Sequence, residues 1–249
     1  MKKIVYILII GFIITSCDSE NAGNCFQKAG DIIQQEVAIS SFNKIWVNRD
    51  IELVITESAE HRVLIETGKN LMDDVVAKVT DGRLTLTDNN TCNYVRDYGI
   101  TKVYVSAPNI TEIRSSTQYT ISSNGVLTYP NLTLLSEDFG APGAFNVGDF
   151  NLQIDNTNLK LTFNNLSVCY VSGKTNNLSI TFAAGTPRFE GRDLMAQKVM
   201  VFNRGSNDMI VNPQQEITGE ISGIGNVIAV HTPPIVNVET VYRGQLIFE

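Results

Sequence analysis

Apolar and polar residues alternate with period two along this 249-residue chain, in short runs that recur to its last residues. Successive side chains of a β-strand point to opposite faces, so such runs bury one face and wet the other; a helix would repeat its apolar positions every 3.6 residues. The strictest runs are Leu84 and Leu86; Phe150, Leu152 and Ile154; Leu159, Leu161 and Phe163; and Leu178, Ile180 and Phe182. Runs apolar on both faces in places, around 45–47, 51–55, 63–65, 103–105, 166–170 and 199–201, are expected to be covered on both sides. Between them stand Asp81-Gly82, Asn89-Asn90, Ser123-Asn124-Gly125, Asn156-Thr157-Asn158, Asn164-Asn165 and Asn176-Asn177, residues that tolerate turn geometry. One short helical segment is expected over 70–76, with Asn70 as its cap.

Two all-β architectures fit such a string: an antiparallel β-sandwich, and a single-stranded parallel β-solenoid. From about Val126 a polar turn followed by an alternating run keeps returning, as in 129–134, 148–152, 157–161 and 177–180. Stacked coils give this restatement and favour the solenoid. Stacking would also employ the abundant Asn, whose amides can ladder along the axis at equivalent corners. Filling of hairpin turns is the alternative use for them.

The N-terminus reads separately. Lys2 and Lys3 precede an apolar run over 4–14, too short to cross a bilayer as a helix, and no later stretch approaches the roughly 20 residues needed. Ile14-Thr15-Ser16-Cys17 resembles the lipobox of bacterial lipoproteins, in which the signal is cleaved before the cysteine and the thiol is diacylated. Residues 1–16 are then the signal peptide, Cys17 carries the lipid, and 17–37 form a polar tether that begins with Asp18, Ser19 and Glu20. Acidic residues at that place resemble the surface-export signal of Bacteroidota lipoproteins, and an ordinary linker facing the periplasm is the other reading. A plain secretory signal with an unrelated cysteine is the alternative for the whole segment.

Losing residues 1–16 removes Lys2 and Lys3 and takes the formal charge from −7 to −9. Such an acidic body does not suit nucleic acid, which calls for concentrated Lys and Arg. With Cys17 assigned to lipid, Cys25, Cys92 and Cys169 remain. Cys25 and Cys92 sit in polar, loop-like contexts while Cys169 lies in an apolar run, so a Cys25–Cys92 disulfide with a buried Cys169 thiol is expected, three free thiols being the alternative. The cysteine spacings match no zinc pattern, His61 and His231 are the only histidines, and no cofactor is expected.

At three places the chain resembles a known family. Phe42-Asn43-Lys44-Ile45-Trp46-Val47, Ile51-Glu52-Leu53-Val54-Ile55-Thr56 and Asp81-Gly82-Arg83-Leu84-Thr85-Leu86 are similar to the opening of the putative auto-transporter adhesin head GIN domain. Ile221-Ser222-Gly223-Ile224-Gly225-Asn226-Val227, then 233–238 and 243–247, resemble its Gly-x-Gly-Asn-Val turn, Pro-x-x-Val step and late glycine, and 91–96 resembles an internal segment of some members. The likeness spans residues 38–249. It implies a right-handed parallel β-helix with an envelope or surface role, and brings no catalytic residue and no ligand.

Parallel β-helices also host polysaccharide lyases and glycoside hydrolases, which need converging carboxylates. Glu137, Asp138, Asp149 and Asp155 are the acids whose convergence would support that alternative. For a binding module the candidates are Tyr94, Arg96 and Tyr98, whose aromatic faces could meet a sugar or a peptide, or could simply cover one end of the β-body. The basic stretch Arg188, Arg192, Lys198 and Arg204 is interspersed with Glu190 and Asp193 and reads as a neutralised face. The expectation is a lipid-anchored envelope protein whose β-helix binds an extracellular glycan or protein without catalysis. The Gly223-Ile224-Gly225 segment is expected to form a corner where stacking leaves no space for a Cβ.

Overall fold

The computed structural model describes residues 24–90 and 92–249. The signal segment and Cys17 lie outside them. Among the described residues seventeen strands form one continuous sheet around one apolar core. In chain order they are β1 (Ile32–Val37), β2 (Lys44–Val47), β3 (Ile51–Glu57), β4 (Arg62–Gly68), β5 (Val75–Thr80), β6 (Arg83–Asp88), β7 (Thr101–Ala107), β8 (Glu112–Ser115) and β9 (Ile121–Leu127). There follow β10 (Asn131–Ser136), β11 (Phe150–Phe163), β12 (Val168–Phe182), β13 (Arg188–Asn203), β14 (Met209–Ile221), β15 (Val227–Ala229), β16 (Ile235–Thr240) and β17 (Leu246–Phe248).

The period-two pattern becomes columns of like residues, because successive strands stack in parallel and in register. One ladder, β6–β2–β8–β10–β11–β12–β13–β14–β16, lines up Leu84, Ile45, Ile113, Leu134, Leu161, Ile180, Val201, Gly219 and Val238. A second, β4–β7–β3–β9–β11–β12–β13–β14–β15–β17, lines up Ile65, Val103, Leu53, Ile121, Phe150, Cys169, Phe189, Met209, Val227 and Leu246. Most of these side chains are fully buried, each worth about 1.5–3 kcal/mol if of Leu or Phe size. Antiparallel pairing is confined to β1–β4, β4–β7 and β5–β6, all at the N-terminal end of the ladders.

Strands β11 to β14 each run through both ladders, and in β11 and β12 the alternation slips once on the way. In β11 the inward residues are Phe150, Leu152 and Ile154, then Leu159, Leu161 and Phe163: even numbers change to odd. A one-residue slip turns every later side chain to the opposite face of the strand. With the backbone bent at 155–158, both halves therefore face the same interior. For this reason Asn156-Thr157-Asn158 and Asn176-Asn177, which the sequence suggests as turns between strands, lie inside single long strands.

The Asn ladder is present at this bend. Asn158 Nδ2 donates to Asn131 Oδ1 at 2.6 Å across 27 residues, and Asn177 Nδ2 to Asn158 Oδ1 at 2.8 Å across 19. Close stacking also fixes two glycines. Gly225 carries no Cβ because one would stand 2.0 Å from the Asn207 carbonyl oxygen, and Gly219, at φ +133°, would bring one to 1.8 Å from that of Val201.

Two local expectations are corrected. Over 69–76 the chain makes a 3-10 turn, Lys69–Asp74, and then enters β5; Asn70 does not cap it, because its side-chain amide donates to the Lys28 carbonyl instead. Within the expected tether 17–37, β1 is paired along its length with β4, its apolar Ile33 and Val37 packing on the core.

Candidate functional site

The segment joining β6 to β7 carries Tyr94, Arg96 and Tyr98 at the antiparallel end of the ladders. Asn93 organises it. Its Oδ1 accepts from the backbone N–H groups of Val95 (3.2 Å) and Arg96 (2.9 Å), while its Nδ2 donates to the Arg96 carbonyl (2.7 Å). This is the local turn that a short amide side chain favours. Cys92 is joined to Cys25, with Cα atoms 4.4 Å apart, and Tyr94 N–H donates to the Cys25 carbonyl at 2.9 Å.

Arg96 faces inward. Its guanidinium donates to the carbonyls of Gln27 (3.2 Å) and Asn90 (3.0 Å), and so pins the segment to the chain around Cys25. Tyr94 and Tyr98 face out, each 75% exposed. The Tyr94 ring packs on Phe26 at 5.6 Å between centroids, and the Tyr98 hydroxyl donates to the Asn93 carbonyl at 3.3 Å. Of the three residues that the sequence groups, the structure thus offers two aromatics to solvent and uses the cation as a latch.

Beside them is a hollow of about 270 Å³, whose lining includes Asp50, Asp88, Asn90, Asp97, Tyr98 and Thr101. Two of its carboxylates are bound to neighbours. Asp88 accepts from Thr101 Oγ1 (2.7 Å) and from Asn90, and Asp50 accepts from Gln118 Nε2 (2.6 Å). At its rim Gly99 has φ +73°, and a Cβ there would meet the Tyr119 ring. Burial first, then the Asp50 charge, raises the Tyr119 hydroxyl above its ordinary pKa.

The four acids of the enzyme alternative are each tied to a different partner. Glu137 is buried against Arg114, with Nη1 to Oε1 at 2.5 Å, and accepts from Gly140 N–H at 2.6 Å. Asp138 accepts from Asn164, Asp149 from the Val168 N–H, and Asp155 pairs with Lys174 at 3.1 Å. These are roles in corners and between rungs. Among the described residues no group of three or more His, Cys, Asp or Glu could hold a metal ion. His61 and His231 bond to the carbonyls of Phe42 and Pro213. In the basic stretch Arg188 pairs with Glu190 and Asp208, Arg192 with Glu249, and Lys198 with Glu216.

Two features escape sequence reasoning. On the outer face Trp46 stands between the guanidinium groups of Arg83 and Arg114, each 5.9 Å from its ring, a stack created by three strands far apart in the chain. At the other end of the molecule, β16 and β17 leave apolar residues uncovered.

Parallel ladders around one core, closed by antiparallel strands at one end, define a repetitive all-β scaffold that presents surfaces. The chain belongs to the family described as "Putative auto-transporter adhesin, head GIN domain", whose model matches residues 41–233. Solved structures share the fold. A putative adhesin from Bacteroides fragilis superposes with a TM-score of 0.78 at 18% identity, over 89% of this chain and 99% of that one. A putative adhesin from Parabacteroides merdae gives 0.62 at 16% identity, over 88% and 97%. A protein described as a putative lipid binding protein, from Parabacteroides distasonis, gives 0.60 at 16%, again over 88% and 97%. No curated protein matches the sequence.

Proposed function

We propose that this protein is a lipid-anchored envelope protein whose β-body is an adhesin-like binding module without catalysis. The observation that carries the reading is the pair of exposed tyrosines, Tyr94 and Tyr98, held on a segment tied down by Cys25–Cys92 and by Arg96. Rigid aromatics offer large contact area at little entropic cost, as a binding surface requires. The family description and the neighbours described as putative adhesins support the same reading. The separate engagement of Glu137, Asp138, Asp149 and Asp155 counts against the carbohydrate-active enzyme.

The rungs wind as a right-handed parallel β-helix, the hand that a right-handed strand twist favours for parallel crossovers. Residues 1–16 are cleaved, Cys17 carries the lipid, and the body faces outward from the outer membrane. Cys25 and Cys92 stay paired in the mature protein.

Anchoring is tested by feeding cells an alkyne fatty acid. Label on the wild-type chain and none on Cys17→Ala is expected, and equal labelling of the two would refute it. Protease shaving of intact cells should release peptides of the body; complete protection would refute surface display. Binding is tested by retention of the purified protein on host glycans and matrix proteins. The Tyr94→Ala/Tyr98→Ala variant should lose at least tenfold in retention while keeping its unfolding midpoint, and undiminished retention would remove these tyrosines from the surface.

A further inference from the structure

The two ends of the ladders are finished differently. At one end the outermost strand, β1, carries Gln34, Gln35 and Glu36, with Gln34 bonded to Glu66 and Glu36 paired with Arg62. This is a polar, charge-bearing edge of the kind that resists further pairing. At the other end, among the described residues, β16 pairs only with β14, and β17 only with β15. Each therefore keeps a free row of main-chain donors and acceptors. The columns that run through the core reach their last described positions there: Val236 follows Ile217, Val238 follows Gly219, and Leu246 follows Val227. Val236 is 45% exposed, Tyr242 59% and Phe248 40%, and Ile235, Val241 and Ile247 are exposed beside them. A stacked repeat whose last layer is apolar lacks the polar cap that such folds need to remain apart in solution.

We infer that the C-terminal rung is an association edge for a second copy of this chain, joined end to end about a two-fold axis. Charge and register both fit a copy of the same chain. Glu239 and Arg243 are exposed, and among the described residues neither enters an ion pair, so each copy offers one acid and one base to its mate. In an antiparallel β16–β16′ pairing, inward residues meet inward residues only if the paired numbers sum to an even value. Centring the pairing on Asn237 opposes Val236 to Val238 of the other copy. Glu239 then lies opposite Ile235 and not opposite the other Glu239, so like charges are not forced together.

The arrangement has a direction, and this part rests on the lipid anchor proposed above. From β1 to β17 the second ladder makes ten strand-to-strand steps, roughly 48 Å at the usual spacing. The described chain begins at the β1 end, and the stretch from Cys17 to Asn24 spans at most about 25 Å fully extended. The open rung is thus held away from the membrane that carries the lipid. Two copies joined at that rung have their lipids at opposite ends, so the contact bridges two surfaces.

The test uses the mature chain with Cys17→Ser for solution mass, and the acylated protein in phosphatidylcholine liposomes for bridging. In sedimentation velocity at tens of micromolar the wild-type body should have twice the monomer mass. Val236→Lys should return it to monomer mass with an unchanged unfolding midpoint, whereas Met200→Lys, exposed on the outer face, should leave the pair intact. Liposomes carrying wild-type protein should cluster, and those carrying Val236→Lys should not. A wild-type body that stays monomeric at these concentrations overturns the pair. So does a pair indifferent to Val236→Lys, or an open-ended series of larger species. A dimer in solution without clustering overturns the bridging and the lipid-end geometry while leaving the association edge standing.

Discussion

The buried pair Arg114–Glu137 gives the sharpest quantitative prediction. The Glu137 side chain is 3% exposed and that of Arg114 11%, so solvent screens neither well. Glu137→Ala removes the carboxylate from Arg114 Nη1 and from the Gly140 N–H, and leaves a guanidinium buried without its counter-charge. Breaking a buried pair by deleting one member costs about 3–5 kcal/mol, most of it the stranded charge. For a domain of this size that corresponds to a fall in Tm of about 6–20 °C. Replacing both partners by apolar groups of similar volume, Arg114→Met with Glu137→Leu, strands no charge and should cost less than the single substitution. Urea unfolding followed by the fluorescence of Trp46, the only tryptophan, reads this locally, because the Arg114 guanidinium lies 5.9 Å from its ring. A Glu137→Ala cost below about 1 kcal/mol, or a double variant less stable than the single one, would refute the assignment of the cost to an uncompensated charge.

Four further outcomes are expected. Gly225→Ala should destabilise by more than the roughly 1 kcal/mol range of ordinary glycine effects, since its Cβ must displace the Asn207 carbonyl; an unfolding midpoint equal to wild type would show that the rungs can part there. The Cys169 thiol, pushed well above its ordinary pKa by burial and then by the Asp149 charge, should resist iodoacetamide in the folded protein and react once urea unfolds it; equal rates in both states would refute its burial. Burial also raises the Tyr129 hydroxyl, which donates to the Ala107 carbonyl. Both groups are neutral when protonated and both pKa values are higher folded than unfolded, so their contribution is complete below about pH 8.5 and falls as pH rises above the unfolded values of about 8.5 and 10; stability that is flat to pH 11 would refute this. Cys25→Ser/Cys92→Ser opens a loop of sequence separation 67 and should cost on the order of 4 kcal/mol on the chain-entropy account, measured by urea unfolding with and without reductant; an unchanged midpoint would refute the pairing.

What was legible in the sequence follows from which interactions are local. Alternation is a property of one strand, so the runs at 84–86, 150–154, 159–163 and 178–182 all mark strands of the structure. The polar restatement around Asn131, Asn158 and Asn177 foretold stacked amides because equivalent corners need equivalent residues. Where the corners fall was not legible. A bend with a one-residue slip in alternation looks, from composition, like a turn that ends a strand, and only the pairing of β11 with β12 on both sides of it shows one continuous strand. The outward roles were still less accessible: Arg96 reads as a surface cation until the Gln27 carbonyl, 69 residues away in sequence, joins that of nearby Asn90 beneath it.

The same distinction explains why the two ends of the molecule carry different information. At the antiparallel end, β1 reverses direction against β4 with Ile33 and Val37 on the core, and Cys92 and Tyr94 are tied to Cys25, so the apolar columns are closed by a reversed strand and a covalent tie. Closure of that kind needs irregular backbone, which is why tyrosines, a hollow and an inward-facing arginine gather there. At the other end the described rung is regular to Phe248, and among the described residues its outer edge is unpaired. A ladder can stop without aggregating only if its last strand is polar, covered or paired. The last strands here, Ile-Val-Asn-Val-Glu-Thr and Leu-Ile-Phe, are not polar, and no other described segment covers their free edges. Pairing meets that requirement, and a partner with the same rung supplies it with the same backbone geometry.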